Sequence, residues 1–165
     1  MNIYKKFLPK KIFKELKDGI MSDYFPWYYN DCILNNKKDK NFQFTFTFLN
    51  EKGINCSQEI IDLIKPILSK LKYKKLIAIK ANLLTKTSKI VEQGFHTDQL
   101  KGTTSIFYIN KCNGYTKFKN NKKITSEENK LVEFNSALEH TGSSCTDKKR
   151  RVVINFNYLH DYIGQ

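Results

Sequence analysis

Arginine is almost absent from this chain: of its 29 basic residues only Arg150 and Arg151 are arginine, and they are neighbours. Histidine is as scarce, with only His96, His140 and His160. No run of about 18 apolar residues occurs, which excludes a transmembrane helix. The opening Met1-Asn2-Ile3-Tyr4-Lys5-Lys6-Phe7 lacks the apolar stretch of a secretory signal. Cys32, Cys56, Cys112 and Cys145 form no CxxC pair and no zinc-type spacing, so free thiols are expected, not a disulfide framework or a structural zinc site. No internal repeat, low-complexity tract or Pro/Gly-rich linker divides the 165 residues, and one domain over 1–165 is expected. These absences predict an unsecreted, soluble protein with no membrane partner, resident in the cytoplasm (the host cytoplasm if virally encoded).

What is present is the material of a core. Twelve Phe and nine Tyr in a chain with 40% hydrophobic and 27% charged residues exclude a disordered polymer. The net charge of +13 has two readings. One is an acidic partner such as nucleic acid. The other is codon composition, because Lys, Asn, Ile, Phe and Tyr are the residues an AT-rich genome favours. Lysine pairs are scattered (Lys5-Lys6, Lys37-Lys38, Lys74-Lys75, Lys122-Lys123) and trace no stripe, which favours composition. Against that background the two arginines mark a place where an ammonium will not serve. Only the planar guanidinium fork binds a carboxylate through two parallel hydrogen bonds.

Residues 10–21 carry Ile12, Phe13, Leu16 and Ile20 at helical spacing after Pro9. The stretch 25–31 is aromatic and extended, and Phe42, Phe44, Phe46 and Phe48 alternate strictly with polar residues, as a strand with one core face does. A second helix is predicted over 57–71, capped by Ser57, with Pro66 expected to kink or split it. From Lys75 onward the pattern turns to short strands at 76–84, 94–97, 103–110, 115–118, 130–135, 138–141 and 151–159. Seven of them read as a sandwich or barrel. About 1–74 would supply a helical buttress and edge strands, and about 75–160 the core.

Three of these strands carry polar residues opposite their apolar face. In the last, Val152, Ile154, Phe156 and Tyr158 share one face, and Arg151, Val153, Asn155 and Asn157 the other. Lys80 and Asn82 share a face with Leu84, and Thr104 and Tyr108 share one with Ile106. Three such strands near the histidines predict a barrel with a polar pocket inside.

Gly94-Phe95-His96-Thr97-Asp98 is the segment richest in chemistry. Residues i and i+2 of a strand point the same way, so His96 and Asp98 project together. His140 offers a third ligand, and two His with one carboxylate make the facial triad that leaves coordination positions open on non-haem Fe(II). Arg151 follows at the head of the inward-polar strand, and alternation sends Arg150 to the opposite side. His160-Asp161 is a second His–carboxylate pair, read as surface.

On these residues the chain resembles the Fe(II)/2-oxoglutarate-dependent dioxygenases, nearest the prolyl-hydroxylase-like group and its small bacterial and phage members. The resemblance covers about 75–159 and, more weakly, 25–31. It implies a mainly β fold with N-terminal helices and a double-stranded β-helix (jelly-roll, cupin-like) core. It implies that His96, Asp98 and His140 bind iron and that Arg151 pairs with the 5-carboxylate of 2-oxoglutarate. In Phe107-Tyr108-Ile109-Asn110, Tyr108 stands where relatives add a hydrogen bond to that carboxylate. The Gly-Gly-x-Thr-x-Phe turn stands here as Asn113-Gly114-Tyr115-Thr116-Lys117-Phe118, with the first Gly replaced. Asn82 matches a polar residue near the metal-bound end of the cosubstrate, although the loop from there to His96 is longer than in relatives. Lys80 is a rival for the cosubstrate carboxylate.

The implied cofactors are Fe(II), 2-oxoglutarate and O2, with ascorbate optional. The implied reaction hydroxylates a peptide or protein residue as 2-oxoglutarate is decarboxylated to succinate and CO2. Two alternatives stand beside it: oxidation or demethylation of a nucleic-acid base, with Trp27, Tyr28 and Tyr29 available for stacking, and a non-catalytic cupin-like binding module. The intact triad and arginine argue against the module.

Overall fold

The computed structural model describes residues 1–33 and 41–160. Its elements are β1 (Asn2–Tyr4), α1 (Lys10–Met21), β2 (Tyr28–Asn30), β3 (Gln43–Asn50), β4 (Gly53–Ile54), α2 (Gln58–Asp62), α3 (Lys65–Leu68), β5 (Lys75–Thr85), β6 (Thr103–Tyr108), β7 (Tyr115–Phe118), β8 (Lys123–Thr125), β9 (Lys130–Asn135), β10 (His140–Gly142) and β11 (Arg150–Leu159). A large antiparallel sheet runs in the order β1-β9-β6-β11-β5-β3-β2, with β4 paired to β3, and a small sheet runs β10-β7-β8. This is the mainly β, jelly-roll architecture expected. Among the described residues no helix is long and apolar enough to cross a membrane.

The two faces of the large sheet divide by the alternation read from sequence. Phe46, Phe48, Ile79, Phe107, Ile154 and Phe156 lie on the outer face, buried against Phe13, Leu16 and Ile20 of α1 and Ile61, Ile64 and Ile67 of the α2–α3 segment. Each such side chain removed from water contributes roughly 1.5–3 kcal/mol, so this is where the buttress is secured. On the inner face Ile106, Tyr108, Val132, Phe134 and Val153 meet Phe118 and Ile124 of the small sheet. β11 pairs with β5 on one side and β6 on the other, so its inward residues sit at the centre of the cavity floor.

The predicted helix over 57–71 is split into α2 and α3, with Pro66 in the first turn of α3, where its missing N–H costs nothing. Ser57 holds the N-cap position but makes no side-chain capping bond. The strand expected at 94–97 is not regular: its one bridge is His96 to His140, with another, Glu92 to Ser143, just before it. The strand expected at 138–141 is displaced to His140–Gly142. Asn135 is the cause, because its carbonyl and side-chain oxygens accept from Leu138 and Ala137 and turn the chain there. β1, β4 and β8 are only two or three residues long, too short to carry a period.

Candidate metal centre and the pocket around it

His96 and His140 are brought together by main chain. The His96 N–H donates to the His140 carbonyl at 3.0 Å and the His140 N–H to the His96 carbonyl at 2.9 Å, which sets the two rings 4.6 Å apart. Asp98 follows, its own N–H donating to the Ser136 carbonyl. The His96 and His140 Nε2 atoms stand 3.9 and 3.8 Å from Asp98 carboxylate oxygens. The ligand atoms of all three residues lie within 4.8 Å of one another.

The donor chemistry fits a divalent metal. His140 Nδ1 lies 3.0 Å from the Leu138 carbonyl, which can only accept, so this contact uses Nδ1–H and turns Nε2 to the site; His96 Nδ1 lies 3.4 Å from the Gly94 carbonyl in a similar arrangement. Burial, the largest influence, lowers the pKa of His140 and favours the neutral, ligating imidazole. The Phe134 ring packs edge-on against it. The Thr104 hydroxyl donates to Asp98 Oδ2 at 2.6 Å, with Asn157 Oδ1 3.0 Å behind, so the carboxylate is oriented before any ion arrives.

These three residues line a cavity of about 240 Å³ whose other walls include Lys80, Asn82, Thr116, Arg151, Asn155 and Asn157. Arg151 is only 3% exposed. Its Nε donates to Ser126 Oγ and its Nη2 to Thr116 Oγ1, both at 3.2 Å, and its guanidinium lies 5.7 Å from the centre of the Tyr108 ring. Tyr108 is fully buried and donates to the same Thr116 hydroxyl at 2.8 Å. No acidic group among the described residues pairs with Arg151. A buried cation held only by neutral oxygens lacks the counter-charge that makes burial affordable.

The backbone around Arg151 is clamped. The Asn110 side chain donates to the Arg150 carbonyl at 2.8 Å and accepts from the Val152 N–H at 2.9 Å, gripping β11 on both sides of the arginine. A Cβ on Gly114 would meet Arg151 Cδ at 2.6 Å and the Ser144 carbonyl oxygen at 2.7 Å, so the retained glycine of that turn makes room for the arginine stem.

Arg150 points away, as alternation requires, yet it is not merely solvated. Its Nη2 donates at 2.6 Å to the carbonyl of Met21, the last residue of α1. Asn82 and Lys80 both face the cavity. His160 is exposed against Tyr158, away from the triad, and Asp161 lies outside the described residues. Trp27 packs on Phe25 with ring centres 4.9 Å apart, as part of the buttress, leaving Tyr28 and Tyr29 as the exposed rings of that stretch.

Sequence reasoning put Thr104 on the inward polar face without its link to Asp98, and missed Thr116, Ser126 and Asn110 as supporting residues. Thr116 and Asn110 stood inside quoted motifs but carried no signal of their own. Cys112 and Cys145 also escaped it: both are buried, and with exposed Asp147 their ligand atoms lie within 4.8 Å of one another. The Cys145 thiol donates to the Lys148 carbonyl, and burial, reinforced by Cys112, pushes its pKa up to about 11.

No protein-family model matches this chain, and no curated protein matches it by sequence. The fold, by contrast, is shared widely. A prolyl-4-hydroxylase from Pseudomonas putida superposes with a TM-score of 0.64 over 96% of this chain and 91% of its own, at 11% identity. A Trichoplax adhaerens prolyl hydroxylase, solved in complex with a peptide fragment of the hypoxia inducible factor oxygen degradation domain, gives 0.66 over 97% and 83%, at 14% identity. SnoN, a non-haem α-ketoglutarate-dependent epimerase from nogalamycin biosynthesis, gives 0.68 over 96% and 75%, at 8% identity. The chain has the prolyl-hydroxylase-like fold of the 2-oxoglutarate Fe(II) oxygenases.

Proposed function

We propose that this protein is an Fe(II)- and 2-oxoglutarate-dependent dioxygenase that hydroxylates a peptidyl residue, consuming O2 and releasing succinate and CO2. The observation that carries the reading is one cavity holding both a His-Asp-His donor set and a buried arginine with no acidic partner. Each half has another use elsewhere; together they match a metal-chelating dicarboxylate.

His96, Asp98 and His140 would hold Fe(II) through two Nε2 atoms and one carboxylate oxygen, leaving open positions. The bound metal supplies the activation of O2 that couples decarboxylation to hydroxylation. Arg151 takes the 5-carboxylate on its fork, while Thr116 and Ser126 keep that fork from rotating and Tyr108 lies beneath it. Asn82, on the same cavity wall, would contribute a polar contact to the cosubstrate's metal-chelating end. Thr104, by donating to Asp98 Oδ2, would keep that carboxylate in a ligating orientation. The bound peptide fragment in the Trichoplax adhaerens enzyme supports a peptidyl substrate.

Anaerobic titration with Fe(II) and then 2-oxoglutarate tests the reading. A visible charge-transfer band is expected only when both are present, followed by succinate on admitting O2. Tight Fe(II) binding with no band at millimolar 2-oxoglutarate would leave a metal site without this cosubstrate and sink the proposal.

A further inference from the structure

Besides Arg151, the cavity holds a second cation. Lys80 lies on the inward face of β5, in register with Asn155 of β11, and both line the cavity. The Lys80 ammonium makes no hydrogen bond or ion pair with any described residue, although the Lys80 carbonyl accepts from the Asn82 side chain. Burial lowers its pKa, and no carboxylate offsets that effect. Beside it the side-chain oxygen of Asn155 is buried without a hydrogen-bond partner. Such groups normally find partners inside proteins, and leaving one unmade costs roughly 1–3 kcal/mol. A cation and an amide oxygen side by side on the cavity wall, neither engaged by another described side chain, are placed to receive a group that carries both an anion and an N–H donor.

The charges of the reaction's other components do not provide it. The acidic group lining the cavity is Asp98, a metal ligand in the proposed function. A divalent metal on Asp98 and a dianionic 2-oxoglutarate on the metal and Arg151 balance one another, leaving Lys80 as the one uncompensated charge. Leu84, not Lys80, is the register partner of Arg151. Four residues of strand separate Lys80 from that position, roughly 13 Å along the sheet. The four C–C bonds of a five-carbon diacid span at most roughly 6 Å. Lys80 and Arg151 therefore stem from well-separated positions on the cavity floor, and a diacid anchored on Arg151 does not need Lys80 as its first cation.

We propose that Lys80 and Asn155 form a recognition subsite for the primary substrate, taking an acidic peptide residue by its side-chain carboxylate on Lys80 and its main-chain N–H on the Asn155 oxygen. The inference rests on the peptidyl reading above and names the substrate class that reading leaves open: a peptide with Asp or Glu beside the residue that reacts.

The test uses the full chain loaded with Zn(II) and 2-oxoglutarate, a form that turns nothing over, so that binding alone is read. The probes are matched proline-centred peptides carrying Glu, Gln or Lys at each flanking position in turn. Wild type should bind the Glu peptide at one position at least about tenfold more tightly than its Gln twin, a difference of about 1.4 kcal/mol. Lys80→Met should erase that preference, and Lys80→Glu should shift it to the Lys peptide. The 2-oxoglutarate dissociation constant of Lys80→Met, measured on the same loaded protein, should stay within about threefold of wild type, which also verifies that the variant is folded. If Glu and Gln peptides bind equally, the inference falls and the peptidyl reading stands. If no peptide of any series binds, both fall. A tenfold or greater loss of 2-oxoglutarate affinity in Lys80→Met would assign Lys80 to the cosubstrate and overturn the subsite.

Discussion

His96 and His140 exchange both main-chain hydrogen bonds across a gap of more than forty residues, so the separation of their rings is set by backbone and not by the rings themselves. A donor set built this way does not need a metal in order to be shaped. It also means that a ring can be removed without dismantling the bridge that presents it.

His140→Ala should therefore fold yet lose tight metal binding and all succinate production, since two donors remain where three stood. His160→Ala, on an exposed residue away from the triad, should leave both unchanged. Thr104→Val should keep the fold and weaken metal affinity by about 10- to 100-fold, the usual effect of losing a partner that orients a ligand. Titration of each variant with Mn(II) or Co(II) measures this. Full metal affinity in His140→Ala would mean that the wrong histidine has been assigned.

Arg151→Ala should weaken 2-oxoglutarate binding by about two to three orders of magnitude. Removing one partner of a desolvated ion pair costs roughly 3–5 kcal/mol, and each 1.4 kcal/mol is tenfold. Arg151→Lys should recover only part, because one ammonium cannot reproduce the fork. Arg150→Ala should change 2-oxoglutarate affinity by no more than about threefold. It should still lower stability by about 1 kcal/mol, from loss of the bond to the Met21 carbonyl. Equilibrium binding and urea unfolding of the three variants separate the two arginines.

Gly114→Ala probes the arginine stem from the opposite side. The added methyl would fall 2.6 Å from Arg151 Cδ and 2.7 Å from the Ser144 carbonyl oxygen, so one of them must move. The expected result is a loss of 2-oxoglutarate affinity of about tenfold or more, with overpacking costing roughly 1–3 kcal/mol of stability. Metal affinity, decided on the other wall, should be kept. Parallel losses of both affinities would show that the turn supports the whole cavity and not the arginine alone.

The cysteines should react in two classes. Cys32 and Cys56 are half-buried and should be modified by an aromatic disulfide reagent in the native protein, whereas buried Cys112 and Cys145 should react only on unfolding. Because burial pushes the pKa of the Cys145 thiol up to about 11, raising the pH from 7 to 9 should not bring it into the fast class. Alkylation during lysis followed by a count on denatured protein should find four free thiols. A shortfall of two would identify a bridge between Cys112 and Cys145, the pair already in contact.

The sequence alone determined which faces are wet and which are dry. The period of two in 151–158 placed Arg151 with Val153, Asn155 and Asn157, and sent Arg150 with Val152, Ile154 and Phe156 to the other side, because alternation is a local property of an extended chain. The same locality made His96 and Asp98 legible as a pair, although the segment proved to be a bridged loop and not a strand. Only the tertiary structure decided which residues meet across strands. Lys80 faces Asn155, Thr116 and Ser126 reach Arg151, and Cys112 lies against Cys145 because segments far apart in sequence pair in one register out of many. That register is chosen by the packing of the whole sheet against its helices, where a slip of one residue would turn Phe46, Ile79 and Phe156 out of the core.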